Sequence, residues 1–128
     1  MFKTETTIDS TRIAYLAVTA FECNDMTASW CGSAKPASPV PEGEGPWYFR
    51  PAFWDSDFQI AVAFDGPDDP EGSRRSGAVI GRAEVQAGFD KMASDYPSHL
   101  GDIINDNFDA ETADVWWQCV LLKDIVYG

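Results

Sequence analysis

The sequence predicts an α+β domain: a small antiparallel β-sheet with about three to four helices packed on one side and a helical C-terminal third. Three observations predict it. Apolar residues alternate from Phe58 to Phe64, apolar residues recur at helical spacing from Val85 to Tyr96, and Asp109 stands as a capping residue before an apolar run. A chain of 128 residues with 45% apolar content fits one globular unit over 1–128.

Asp9 and Ser10 are good N-cap residues, and Ile13, Leu16, Ala17, Ala20 and Phe21 follow on one helical face. Ile13, Tyr15 and Ala17 also alternate, so residues 11–22 read as helix with strand as the open alternative. Residues 32–51 read as a connector. Its Pro/Gly-rich part, 32–46, argues against any regular element. Trp47, Tyr48 and Phe49 read as a strand ended by Pro51. Phe58, Ile60, Val62 and Phe64 form the clearest strand. The alanines on its other face, Ala61 and Ala63, suggest a helix packed closely there. Pro67, Asp68, Asp69, Pro70 and Gly72 close that strand with turn chemistry.

Val85, Phe89, Met92, Ala93 and Tyr96 make one apolar helical stripe, weakened by Gly88 and ended by Pro97. A short helix follows with Leu100, Ile103 and Ile104 inward. A last helix spans about 110–124, with Glu111 and Asp114 near its start and Lys123 near its end to suit the macrodipole. A strand over residues 115–122 is its open alternative.

Acids outnumber bases 21 to 9, giving a net charge of −12. Direct binding to a phosphate backbone is thereby disfavoured, because that affinity comes from Lys and Arg. Polar residues fill most of the first twelve positions, so neither a signal peptide nor a membrane span is expected. Three cysteines, Cys23, Cys31 and Cys119, without framework spacing read as reduced thiols in a cytoplasmic protein.

The chemical motifs are weak. Cys23, Cys31, Cys119 and His99 lack zinc spacing, and no cysteine has a flank that would activate it beside His99. The stretch from Asn105 to Glu111 resembles a calcium loop, but Ala110 and Trp116 occupy the positions that need Gly and Glu. Gly77 to Gly81 lacks a phosphate-cradle pattern. Arg74, Arg75 and Arg82 are read as offsetting Asp65, Asp68, Asp69 and Glu71. No cofactor and no metal are expected.

Charge patterning is the stronger signal. Between Lys91 and Lys123 there is no base but six acids: Asp95, Asp102, Asp106, Asp109, Glu111 and Asp114. A solvated helix gains from mixed signs, so a stretch of one sign forgoes that support. The expectation is an acidic face that docks on a basic protein surface, as a nucleic-acid-mimic inhibitor or accessory protein would. Trp47 and Trp54 would add apolar anchors, at least one of them exposed. Exposed tryptophan also raises self-association. The alternative is a small-molecule-binding domain or small enzyme. Its pocket would lie between the aromatic sheet and the 32–46 loop and use Arg50, Asp55, Asp57 and Cys31. The bland alternative is charge that serves solubility alone.

Overall fold

The computed structural model describes residues 7–128. Its first helix, α1 (Ser10–Phe21), settles the ambiguity over 11–22: Asp9 accepts the Arg12 N–H at 2.8 Å, and Ala14, Leu16, Ala17 and Ala20 are buried. A single turn, α2 (Asp25–Ala28), follows, capped by Asn24.

The sheet has three antiparallel strands in the order β1-β2-β3. β2 (Ile60–Phe64) is central, with Ile60, Val62 and Phe64 buried, as the alternation predicts. Among the described residues no helix packs on its other face. Lys35, Ala61 and Val79 lie in one cross-strand row there, and Val79 is 58% exposed. β1 (Cys31–Pro36) corrects the expectation of an irregular connector. It is an edge strand, where a terminal proline is tolerated, and Gly32 and Ser33 fall in the register shift between Cys31 and Ala34. β3 (Ser76–Ile80) is also an edge, and the sequence hid it. Ile80 is its one buried residue, so it shows no apolar alternation.

The predicted strand at 47–49 is instead a 3-10 turn (Trp47–Phe49) leading into α3 (Pro51–Asp55). Pro51 stands where proline starts a helix rather than ends a strand. The helical path brings Trp47, Phe53 and Trp54 together, with ring centroids 5.0 to 6.4 Å apart.

Three helices complete the chain: α4 (Arg82–Asp95), α5 (Pro97–Ile104) and α6 (Ala110–Leu121). Asp109 caps α6 as predicted, accepting the Thr112 N–H at 3.0 Å. Every residue from Thr112 to Leu121 is buried, so α6 is the central helix of the core rather than an amphipathic one. It stops at Leu121. Lys123 lies beyond it at φ 66°, not in the last turn. The tail is fixed by Gln118, whose side-chain oxygen accepts the N–H groups of Val126 and Tyr127 at 2.8 and 2.9 Å.

Candidate functional site

The six acids between Lys91 and Lys123 do not form one face. Asp114 is buried. It accepts hydrogen bonds from Thr27 Oγ1 at 2.9 Å, Trp30 Nε1 at 2.8 Å and Gln118 Nε2 at 2.8 Å. Asp95 pairs with Lys91 at the end of α4, and that bond holds its carboxyl below the ordinary range. Asp109 is spent on capping, and the Thr112 N–H lowers its carboxyl too. Asp102 on α5 and Glu111 at the start of α6 have no side-chain partner among the described residues.

Asp106 is bound by Arg12 across 94 positions of sequence, Nε to Oδ1 at 2.7 Å and Nη2 to Oδ2 at 3.0 Å. The guanidinium holds the Asp106 carboxyl below its usual value. This pair places the loop after α5 against the start of α1. Two further carboxylates meet there: Asp9 at the cap, and Asp55 from α3, which accepts from Ser10 Oγ at 3.0 Å. A shallow depression of about 440 Å³ continues along α1, lined by Asp9, Arg12, Tyr15, Thr19, Asp106 and Phe108.

The aromatic anchors also differ from expectation. Trp54 is buried and donates its indole N–H to the Tyr48 carbonyl at 2.8 Å. Trp47 is half-buried among Phe21, Tyr48, Phe53 and Trp54. The exposed pair is Tyr15, 55% accessible, and Phe49, 37% accessible, stacked edge to face at 5.3 Å. Tyr15 could have been found from the helical wheel, since it lies off the face that Leu16, Ala17 and Ala20 bury. Phe49 could not, because its strand assignment was wrong. Tyr48 faces the other way: burial, then the bond to Glu22, pushes its hydroxyl up to about 12.

The residues of the alternative pocket do not converge. Arg50 holds its own loop, donating to the carbonyls of Pro41 and Gly45 at 2.8 to 3.1 Å. Cys31 is buried with its sulfur accepting from Trp117 Nε1 at 3.4 Å, and burial pushes the thiol up. Asp55 turns to Ser10, and Asp57 is exposed. The larger cleft, about 560 Å³, lies instead between α1, α3, α4 and α5.

Burial also lifts the Cys119 thiol, to about 11, which is unfavourable for a nucleophile. His99 Nδ1 contacts Thr112 Oγ1 at 2.8 Å. Among the described residues no group of three or more His, Cys, Asp or Glu side chains is placed to hold a metal ion. Of the basic cluster, Arg74 does offset Asp65, at 2.8 Å, whereas Arg82 reaches the carbonyls of Trp54 and Ser56. No helix among the described residues is long and apolar enough to cross a membrane. Comparison with protein-family profiles, with curated proteins and with solved structures gives no match to this chain.

Proposed function

We propose that the chain acts by non-covalent binding to a basic protein surface, through the solvent face of α1 and the segments beside it. The observation that carries this reading is the exposed pair of Tyr15, on α1, and Phe49, from the 3-10 turn packed beside it, on a helix whose start gathers Asp9, Asp55 and Asp106. Aromatic side chains that are both exposed and stacked supply anchor area at low entropic cost, and most interface energy sits in such anchors. The Tyr15 and Phe49 rings also accept a lysine or arginine over their faces. The carboxylates around Arg12, together with Asp102, Asp109 and Glu111, steer a cationic partner and set the salt dependence of its capture. A groove that otherwise holds nucleic acid is one such surface, and there the chain would compete with the phosphates. Three unpaired cysteines, two of them buried, support a reducing, cytoplasmic setting.

The test separates anchors from bulk charge. A fluorescent arginine-rich peptide is titrated in low salt and again at about 0.15 M, where screening acts within about 8 Å. The double substitution Tyr15→Ser with Phe49→Ser changes no charge and is expected to weaken binding about tenfold, the loss of one good anchor. Glu42→Gln with Glu44→Gln removes two exposed charges from the loop that follows β1 and is expected to leave binding nearly unchanged. If the loop pair weakens binding and the aromatic pair does not, charge is acting in bulk and the reading falls back to solubility.

A further inference from the structure

A second surface, on the opposite flank of α1, has a different chemistry. The cleft of about 560 Å³ is walled by Trp54, Phe58, Val85, Phe89, Leu100 and Ile104. Its volume lies in the range of small-ligand sites, about 300–1,000 Å³, with an apolar floor and an open rim formed by the exposed Arg82, Gln86, Asp90 and Ala93. It follows α4 from Arg82 to Ala93, about 16 Å of helix at the usual rise.

Its polar groups are arranged unequally along that length. At one end stands Arg82, in the first turn of α4, whose cap Gly81 offers no side chain to the helix N–H groups. Arg82 Nη1 donates to the Trp54 carbonyl at 2.9 Å and the Ser56 carbonyl at 3.4 Å, which fixes the guanidinium plane. Its Nε and Nη2 donate to no described residue. Those two groups are the edge that grips a carboxylate in two parallel bonds. Arg12, Arg50 and Arg74 differ. Arg12 gives Nε and Nη2 to Asp106, Arg50 gives both to Gly45, and Arg74 gives Nη1 to Asp65 and Nη2 to the Ala28 carbonyl. Among the described residues of the lining the one acid, Asp90, lies about 12 Å further along the axis and accepts from Gln86 Nε2 at 3.0 Å.

We propose that this cleft binds an apolar-bodied carboxylate of medium-chain fatty-acid type. The head group occupies the Nε–Nη2 edge of Arg82, and the hydrocarbon lies along Val85 and Phe89 toward Ala93. Burial of the chain supplies the affinity. The oriented guanidinium at the positive end of α4 selects the anion over a neutral alcohol of equal length.

Decanoate and decanol are the probes, followed by calorimetry and by the tryptophan emission of the chain, to which Trp54 in the wall contributes. The intact chain is expected to bind decanoate saturably and about tenfold more tightly than decanol, the worth of a charge-assisted pair. Arg82→Gln keeps a donor for the Trp54 carbonyl and is expected to bring the two ligands to equal affinity. Ala93→Trp, which fills the far end, is expected to abolish both. Absence of saturable binding overturns the proposal. So does equal affinity of the intact chain for the two probes, a result that needs no substitution. Binding seen only after removal of residues 1–6 also overturns it, because the cleft would then belong to that segment.

Discussion

Asp114 joins three parts of the chain through one carboxylate: Thr27 of α2, Trp30 behind it, and Gln118 one turn along α6. Nothing local separates it from Glu111. Its partners Thr27 and Trp30 lie 87 and 84 positions away, so a sequence reading counts it as a surface acid. The same distance problem hides Arg12 from Asp106. Replacing Asp102, Asp106 and Asp114 together, a natural test of an acidic face, would therefore damage the core. Two buried indoles isolate the energetic point. Trp30 and Trp116 are 1% and 0% exposed, but the Trp30 N–H bonds to Asp114 while the Trp116 N–H has no partner among the described residues. Both Trp→Phe changes remove similar volume. Only Trp30→Phe also removes a hydrogen bond to a charged group, worth about 1.5–3 kcal/mol, whereas Trp116→Phe removes a donor whose desolvation was never repaid. Urea unfolding should find Trp30→Phe less stable than Trp116→Phe by about 1–2 kcal/mol. Equal losses would mean that ring packing outweighs the bond.

Glycine separates helix propensity from helix packing at the scale of elements. Gly88 weakens α4 as a helix, and a Cβ there would lie 2.7 Å from Val120 Cγ2 and 3.1 Å from the Val120 backbone. The absent side chain is what lets α4 seat on α6. Gly101 in α5 has nothing within 4 Å of the same construction. Thermal unfolding should show Gly101→Ala stabilising by about 0.5–1 kcal/mol, the intrinsic preference. Gly88→Ala should destabilise by about 1–3 kcal/mol, because overpacking exceeds that gain. A stabilised Gly88→Ala would show that the α4–α6 contact relaxes. Elements declared by caps, prolines and apolar spacing were legible: α1, β2, α4, α5 and α6 lie where those signals put them. β1 and β3 were not. Edge strands need little apolar content, and β1 spends its Gly and Ser on a register shift. The aromatic run at 47–54 failed for a different reason, since Pro51 serves equally as a strand stop and a helix start.

The whole molecule sets short-range attractions against long-range repulsion. Attractive contacts are few: among the described residues the ion pairs are Arg12–Asp106, Arg74–Asp65 and Lys91 with Asp95 and Asp124. Exposed pairs contribute about 0–1 kcal/mol each. Repulsion arises from a net charge of −12, and Arg50 and Arg82, given to backbone carbonyls, are not paired with any acid among the described residues. The acid total and its sign were legible in the sequence. The partition into capping, core and free carboxylates was not, because it depends on contacts between distant segments. Raising salt from about 0.01 to 0.15 M shortens the screening length from about 30 to 8 Å, which weakens distant repulsions more than contacts under 4 Å. Tm at pH 7 should therefore rise with sodium chloride. A fall would show that the few ion pairs outweigh the net charge. Acid acts with the opposite sign. The carboxyls of Asp65, Asp69, Asp95, Asp106, Asp109 and Asp124 are all held below their ordinary value. For Asp65 burial pulls upward, but the N–H groups of Arg74 and Gly72 and the Arg74 guanidinium outweigh it. A lowered carboxyl contributes stability that is present above its unfolded value, near pH 4, and is lost as pH falls through the folded one. Tm should fall steeply below about pH 4. Arg74→Met, which removes the guanidinium but leaves the backbone N–H bonds to Asp65, should lower Tm at pH 7 and make that fall shallower, because the folded Asp65 carboxyl then lies nearer its unfolded value; an unchanged acid limb would assign the fall to the other five carboxyls.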